Sequence, residues 1–600
     1  MRQHFQHDNM HKQSQLILSR RRSKLFALLS GMGLTLLMLL ALLPVGPAGQ
    51  FIPAALAHAV LLRSDPAANA VLRVPPSHVF LWFDDELVPA TSHVAVEDQA
   101  GRVVDKHDSR VSSTNPREMI VSVPRLAAGT YTVLWVAQST DDGHVTEGAF
   151  VFHIAEANGT VPSTPPGSAP ASGPPTQGNI LLSGPVLLQI LTTWLALLGL
   201  TFWLGGLIWE TWILPPGTPR DPALAAASRL AARRFRRFAP YVLGIVLLAD
   251  LGMVVGQEAE LAGSWSGAFA PSLLQAILSG SRFGLFWWLR QVVAFIALAL
   301  ALIIPRFGWS AWRPASPRGA NVAPVDTTSQ AFPDWWHSVL GTLHRIPRLP
   351  EQLATGWRGR SWLGRLELLL GALLLLAFAL SGHAAAVAEA EVGYAVSVDV
   401  LHLLGNAAWV GGLLYIGFVL VPTLGLLSAR QRARVLALGL PQFSALAIIS
   451  AVVLASTGSL NTSIHLTSLQ QFLTTPYGWV LAVKIEFFLL MVAISAYHAF
   501  HLRPHLVAAL IHRQSDAVSA KEPPVADAGR SKASGKVQTL PHTTDQVEKQ
   551  DAEEISQQAQ DLADRLEDWL RREAMLGMAV LLCVALLDAL AGTLTSIPPV

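Results

Sequence analysis

The stretch SVDVLHLLGNAAWVGGLL, residues 397–414, lies within an apolar run from 396 to 421 that is long enough to cross a lipid bilayer. Its AWVGG segment (408–412) resembles FWLGG at 202–206, which lies in another long apolar run. The whole chain is 51% hydrophobic and only 14% charged, with a mean hydropathy of +0.41. The stretch therefore predicts a helical membrane domain and excludes an ordinary soluble protein.

Eight apolar runs of this kind follow one another after residue 180. They lie near 185–209, 239–256, 284–304, 366–383, 396–421, 441–458, 478–500 and 574–594. The connecting segments alternate between those rich in Lys and Arg and those with none, and the basic set comprises 210–238, 305–365, 422–440 and 502–573. The positive-inside rule assigns the basic set to the cytoplasm, so the N-terminal region and the C-terminus face outward. This predicts a multi-pass protein of the inner or plasma membrane.

Similar segments recur in the two halves of this membrane domain, which we place at 181–600. RFGLFWWLR (282–290) resembles PYGWVLAVK (476–484), with a basic residue six positions after the glycine in both, and RLELLLG (365–371) resembles RREAMLG (571–577). A four-plus-four repeat is known in transporters. Two long cytoplasmic linkers are expected at 305–365 and 502–573, the second with a short polar helix near 551–572.

The N-terminal part of the chain has a different character. Residues 1–57 contain the basic segment RRRSK, a long apolar run and then Ala55-Leu56-Ala57, which predicts a signal peptide and a mature chain that begins at His58. The apolar run is longer than usual, so an uncleaved membrane anchor remains an alternative. Residues 157–180, rich in Pro, Ser, Gly and Thr, are expected to form a linker.

Between them, residues 58–156 read as short strands separated by turns, at 79–83, 93–98, 119–123, 130–138 and 148–154. The predicted fold is therefore a small all-β sandwich, Ig-like or cupredoxin-like with Greek-key topology, fused to an all-α membrane domain of about eight transmembrane helices. Two features point to metal chemistry. The first is the α-amine and imidazole of His58, which together would chelate Cu(II). The second is the pair Asp142 and His144, which are two residues apart in a predicted turn, so that both side chains can reach one ion. On these residues alone, a chance histidine and a solvated hairpin remain open.

This domain resembles the copper-resistance C (CopC) family over residues 58–154, through AHAVLLRSDPAANAVLRVPPSHVFLWFDDELVPA and LAAGTYTVLWVAQSTDDGHVTEGAFVFHI. The resemblance implies that His58, Asp142 and His144 are the metal ligands of a Cu(II) site. Some family members also have a methionine-rich Cu(I) site. Met119 is the only methionine of this domain, so we do not expect a second site here.

The membrane domain resembles the copper-resistance D (CopD) family, most specifically over 366–600, through SGHAAA (381–386), SVDVLHLLGNAAWVGGLL and PYGWVLAVKIEFFLLMVAISAYH. The two domains are fused in some members of these families. The AYH segment at the end of the seventh run departs from the family pattern, where an asparagine is expected before a basic run.

Three ionisable residues near the outer ends of the fourth and fifth runs are candidates for a copper path through the membrane. Asp399 and His402 are three residues apart on one helical face, and His383 ends the preceding run on the same side. Ionisable groups at membrane depth usually face a cavity or a partner. Ala196 occupies the position that corresponds to His402, so the site is expected mainly in the second half. Mutual pairing of Asp399 with His402, or a wet interface, remains the alternative.

These observations predict a copper-binding membrane protein that captures Cu(II) on the outer face and transports copper inward, as Cu(I) or Cu(II), in copper homeostasis or resistance. The expected partners are copper ions and the lipid bilayer. No P-loop or phosphorylated-aspartate motif is present and the basic residues are sorted by topology, so we expect no ATP, no nucleic acid and no enzymatic activity. The alternatives are a membrane-tethered copper buffer or sensor, and a haem-bearing redox membrane protein.

Overall fold

The computed structural model describes residues 59, 61–140, 145–156, 183–216, 221–262, 264–306, 349–382, 392–466, 469–510 and 543–590. The predicted signal peptide and the predicted linker at 157–180 lie outside these residues. Within them, the chain forms a β-domain followed by a helical domain.

Eight strands form the β-domain. They are β1 (Leu61–Asp65), β2 (Val71–Leu72), β3 (His78–Phe83), β4 (His93–Glu97), β5 (Arg110–Val111), β6 (Glu118–Ser122), β7 (Gly129–Gln138) and β8 (Val145–Ile154). They form two four-stranded sheets with the strand orders β1-β3-β6-β5 and β2-β8-β7-β4, and only the β2–β8 pair is parallel among these strands. The predicted β-sandwich is therefore confirmed. Strands β1, β2 and β5 were not predicted because they are short or lack alternating apolar residues.

The sandwich core follows from the alternation of buried and exposed residues along each strand. Val79, Leu81 and Phe83 of β3 are buried together with Val133 of β7 and Phe152 of β8. The aromatic ring of Phe83 packs edge-on against the ring of Trp135 at 5.2 Å. Met119 is also fully buried in this core, so its thioether serves packing and is not presented to a metal.

Among the described residues of the membrane domain there are eight long apolar helices, in the number predicted. They are α1 (Gly184–Ile208), α2 (Pro222–Leu261), α3 (Arg282–Arg306), α4 (Trp362–Leu380), α5 (Val392–Tyr415), α6 (Ala429–His465), α7 (Pro476–Tyr497) and α8 (Thr543–Leu590). Short helices lie at Pro271–Gly280, Leu349–Gly359, Val421–Leu424 and Leu469–Thr474. Helices α1, α5 and α7 each continue into a π-helical turn, at Trp209–Ile213, Ile416–Leu420 and His498–Leu502.

Helices α2, α6 and α8 are longer than the apolar runs that predicted them. Asp221 caps the start of α2, and Ser428 forms a capping box with Gln431 at the start of α6. Helix α8 begins at Thr543, so its first turns occupy much of the segment that we expected to be a linker at 502–573. Hydropathy detects only the bilayer-spanning part of a helix, whereas the Ala, Glu, Gln and Leu residues before it are all good helix formers.

Paired glycines bring α1 and α5 into close contact at the centre of the domain. A Cβ atom on Gly205 would lie 2.3 Å from the carbonyl carbon of Gly411, so neither helix tolerates a side chain here. The next glycine of each helix also packs on an aromatic ring: Gly206 contacts Phe235, and Gly412 contacts Phe443. The contacts of the two glycine pairs are therefore alike, and the four-plus-four repeat itself stays a prediction. Trp203 and Trp409 are both buried and serve helix packing.

Four charged side chains form what we call the Arg–Glu cluster: Glu210, Arg360 and Glu367 are buried and Arg236 is partly buried. Glu210 lies in the π-helical turn after α1, Arg236 in α2, Arg360 just before the N-cap of α4 and Glu367 in α4. Arg236 contacts both Glu210, at 3.1 Å, and Glu367. Arg360 lies 3.9 Å from Glu210 and 3.6 Å from Glu367, and its guanidinium also donates to the hydroxyl of Thr211 at 2.8 Å. Two positive and two negative charges cancel, which is what a buried ionic group requires.

Replacing Arg236 with alanine is expected to destabilise the protein strongly. The change leaves Glu210 and Glu367 with one cation between them, and breaking a buried ion pair costs about 3–5 kcal/mol. Thermal unfolding of the purified protein in detergent would measure the loss. The neighbouring Arg237 is exposed, so Arg237→Ala is the matched control and should leave the midpoint nearly unchanged. Equal midpoints for the two variants would contradict a stabilising role for the Arg–Glu cluster.

Candidate functional site

A cavity of about 300 Å³ lies inside the helical domain, and each of the eight long helices contributes to its wall. The lining residues come mostly from the first part of α1, α3, α5 and α7, reaching Val410 in α5 and Met491 in α7, and from the last part of α2, α4, α6 and α8. Because these helices alternate in direction, most of this wall belongs to one end of the domain. We call it the β-domain end, for the contact described next.

The β-domain touches the helical domain at the start of α3. The backbone N–H of Arg282 donates a hydrogen bond to the carbonyl oxygen of Thr140, at 3.0 Å. The following residue, Phe283, lines the cavity. Thr140 directly precedes residues 141–144, which include the predicted ligands Asp142 and His144 and lie outside the described residues.

His402 of α5 lines the cavity and is held in one orientation by α6. Its Nδ1 lies 2.8 Å from the hydroxyl oxygen of Thr457, and that hydroxyl donates its own proton to the carbonyl oxygen of Val453 at 2.6 Å. A hydroxyl has only one proton, so Thr457 must accept from the Nδ1–H of His402. The Nε2 of a neutral His402 then carries a lone pair, which is the form that binds a metal.

Asp399, one helical turn before His402, also lines the cavity, as the sequence predicted for a shared helical face. Lys484 of α7 lines it too, and lies within electrostatic range of both Asp399 and His402. Lys484 was not predicted as a site residue. The signal was present in the repeat, since the basic residue six positions after the glycine is Lys484 in one half and Arg290 in the other, and both line the cavity.

Arg290 is almost completely buried and has its own counter-charge. Its Nε lies 3.4 Å from a carboxylate oxygen of Asp250, and its Nη1 donates to the hydroxyl of Ser381 at 2.9 Å. Asp250 and Glu258 are both buried in α2, although their position near the end of an apolar run suggests exposed charges. The apolar run ends near residue 256, which predicts a loop after it, whereas α2 continues to Leu261.

The rest of the wall is mostly apolar, with a few further groups that can contact a cation. The lining residues that carry oxygen or thioether groups include Asn406, Asn461, Tyr477, Asp588, Met253 and Met491. Ser381 and Gly382 line the cavity directly before His383, which lies outside the described residues. Among the described residues no three His, Cys, Asp or Glu side chains converge as a metal site.

The predicted ligand His58, like Asp142 and His144, lies outside the described residues, but the residues beside these ligands are in contact. The carbonyl oxygen of Ala59, which follows His58, accepts a hydrogen bond from the hydroxyl of Thr146 at 2.7 Å. Thr146 is two residues after His144, and both Ala59 and Thr146 are buried. The chain that leads from His58 is therefore fixed to the strand that leads from His144.

The fold and cavity define a class of membrane protein: a β-sandwich joined to eight membrane-spanning helices that enclose a polar site near the β-domain. Family models match three parts of the chain, namely the CopC domain at 61–155, the copper resistance protein D-like N-terminal domain at 184–321 and copper resistance protein D at 437–539. The chain belongs to the fused CopC–CopD family of copper-related, multi-pass membrane proteins.

Several characterised proteins are similar to parts of this chain. The copper transport protein CutJ of Bacillus subtilis (strain 168) is 25% identical over 447 residues, which are 74% of this chain and 68% of CutJ. The inner membrane protein YebZ of Escherichia coli (strain K12) is 24% identical over 46% of this chain and 74% of its own length. Protein YobA of the same strain is 29% identical over 17% of this chain and 82% of its own length. The crystal structure of CopC from Methylosinus trichosporium OB3b is 31% identical, covering 16% of this chain and 93% of that one, with a TM-score of 0.15.

Proposed function

We propose that this protein captures Cu(II) on its β-domain and carries copper inward through the cavity of its helical domain, in copper homeostasis or resistance. The observation that carries the proposal is the cavity itself, which brings Asp399 and the metal-competent nitrogen of His402 to the end of the domain that contacts the β-domain. No reaction beyond binding and movement of the ion is assigned to the protein.

Capture is assigned to the amine and imidazole of His58 together with Asp142 and His144. The bond between Ala59 and Thr146 supports this assignment, because it ties the chain next to His58 to the strand after His144. Nitrogen-rich ligation of this type suits Cu(II). The match of the CopC model to 61–155 and the printed name of CutJ, a copper transport protein, support copper as the ion.

Transfer into the membrane is assigned to the contact between Thr140 and Arg282. The hydrogen bond between them lies next to the predicted Cu(II) turn on one side and next to Phe283 of the cavity wall on the other. An ion released beside Thr140 would therefore enter the helical domain next to Phe283. His383 is assigned to the same route, because Ser381 and Gly382 before it line the wall.

Inside the cavity, His402 and Asp399 would bind the ion, and Lys484 would compete with it for the charge of Asp399. This competition keeps binding weak enough for release, which conduction through a membrane requires. The membrane potential provides about 2.3 kcal/mol per charge per 100 mV for inward movement of a cation, so no nucleotide is needed.

Copper uptake by reconstituted vesicles tests the proposal. Vesicles with the β-domain outside would receive radioactive copper, under reducing or oxidising conditions, with and without an inside-negative potential. At 100 mV the equilibrium accumulation should reach about 50-fold for Cu(I) and about 2,000-fold for Cu(II), because the second ion carries twice the charge. Protein-free vesicles are the control.

Copper that binds to the vesicles but never enters them would instead indicate a tethered buffer or sensor. A Soret band in the purified protein would revive the haem alternative. Equal copper accumulation with and without the inside-negative membrane potential would contradict uptake driven by charge movement.

A further inference from the structure

Three histidines lie at the far end of α7, opposite the β-domain end. The helix continues from Tyr497 through the π-helical turn His498–Leu502 and on to Leu510, and it carries His498, His501 and His505. Topology places this end in the cytoplasm. The AYH segment (496–498) is the place where the sequence departs from the family pattern, since an asparagine is expected there before a basic run.

His498 is anchored inside the domain. Its Nε2 lies 2.7 Å from a carboxylate oxygen of Glu573 of α8, which is fully buried and also accepts a hydrogen bond from the hydroxyl of Ser495. This contact attaches the end of α7 to α8. We therefore assign His498 to packing, where it fixes the direction in which the next two histidines project.

His501 and His505 are exposed and face each other across one helical turn. Their ring centroids are 4.7 Å apart with an interplanar angle of 52°. The ring of His501 also stacks on that of Tyr497 at 5.3 Å, and Tyr497 packs on Trp569 of α8 at 5.7 Å. Both neighbours restrict the ring of His501, so its orientation is largely set before any ligand arrives.

The tautomer of His505 is fixed by its own helix. Its Nδ1 lies 2.6 Å from the carbonyl oxygen of His501, and a carbonyl can only accept, so Nδ1 donates its proton. The Nε2 of neutral His505 is then the metal-binding nitrogen. Two imidazoles at positions i and i+4 of a helix are close enough to bind one ion together.

We propose that His501 and His505 form a second copper site, on the cytoplasmic end of the helical domain, which receives the ion after it has crossed. Two imidazole nitrogens bind copper well and leave its other positions open to water or to an accepting ligand. Such an open site can release its ion, in contrast to a closed site with four protein ligands. The assignment as a receiving site rests on the proposed inward transport, whereas the binding itself does not.

Cu(II) binding by the full chain in detergent tests the site separately from transport. The background variant His58→Ala, His144→Ala removes both imidazoles of the predicted capture site, and Cu(II) alone is titrated in the presence of a competing chelator and followed by EPR. We expect this variant to retain a Cu(II) signal with coupling to two imidazole nitrogens. Adding His501→Ala or His505→Ala should weaken that binding by about 100-fold, because either change removes the chelate. The exposed His107→Ala is the control and should have no effect.

Equal Cu(II) affinity with and without the His501 and His505 changes would overturn the site. Failure of the proposed function would give a different result. The intact chain would then bind copper at the β-domain and at His501 and His505, and vesicles that contain it would still not accumulate copper. If both proposals hold, the His501→Ala, His505→Ala double variant should slow uptake while leaving the final accumulation unchanged.

Discussion

Replacing His402 with alanine will abolish copper accumulation while leaving Cu(II) binding by the β-domain unchanged. The imidazole lines the cavity and is proposed to bind the ion there, and Thr457 holds it in the metal-binding tautomer. Removing a residue that only hydrogen-bonds to a metal ligand typically costs about 10–100-fold in metal affinity or activity. Removing the ligand itself should therefore reduce the initial rate of uptake by about 100-fold or more. Vesicle uptake and a Cu(II) titration on the same preparation would measure the two properties.

Three further variants make this test specific. Asp399→Asn keeps the shape of the side chain but removes its charge, and should also abolish uptake. Thr457→Val removes the acceptor of the Nδ1 proton and should lower uptake by about 10–100-fold, less than the loss of His402 itself. Ser397→Ala, on an exposed face of the same helix, should have no effect. Uptake that persists in both the Asp399 and the His402 variants would show that the path through the cavity is wrongly assigned.

Changing His58 or His144 to alanine should produce the second large effect, a loss of Cu(II) affinity by about 100-fold or more, while the cavity stays intact. His58 is expected to supply two ligand atoms, its amine and its imidazole, only if the signal segment is removed after Ala57. N-terminal sequencing of the purified protein therefore comes first. A Cu(II) titration with a competing chelator, followed by EPR, would then measure the loss, and chemical blocking of the α-amine should mimic His58→Ala.

His153 offers a matched control for this experiment. It lies in the same domain, on β8, and its Nδ1 is already 2.9 Å from the hydroxyl of Thr130. His153→Ala should leave the Cu(II) affinity unchanged. Thr146→Val should weaken Cu(II) binding to an intermediate degree, because it removes the hydrogen bond to Ala59 and loosens the chain that carries His58. A chain that begins at His58 but binds Cu(II) equally well without its imidazole would refute the site.

The sequence by itself determined the two-domain architecture. Apolar runs of bilayer length predicted eight spanning helices, and alternating residues such as Val79, Leu81 and Phe83 predicted the main strands of the sandwich. Both patterns are local and repeat along one element, which is why a single sequence reveals them. The same reasoning placed Asp399 and His402 on one helical face, because their spacing is a property of one helix.

Only the tertiary structure decided what these residues face. The bond between His402 and Thr457, the place of Lys484 in the cavity wall and the burial of Asp250 against Arg290 each join helices that are far apart in sequence. The Arg–Glu cluster is of the same kind, and no periodicity reports which helices pack together. The length of α8 was also missed, since a polar helix outside the bilayer has no hydropathy signal. Distances between remote side chains depend on packing, and packing is what turns two candidate residues into a site.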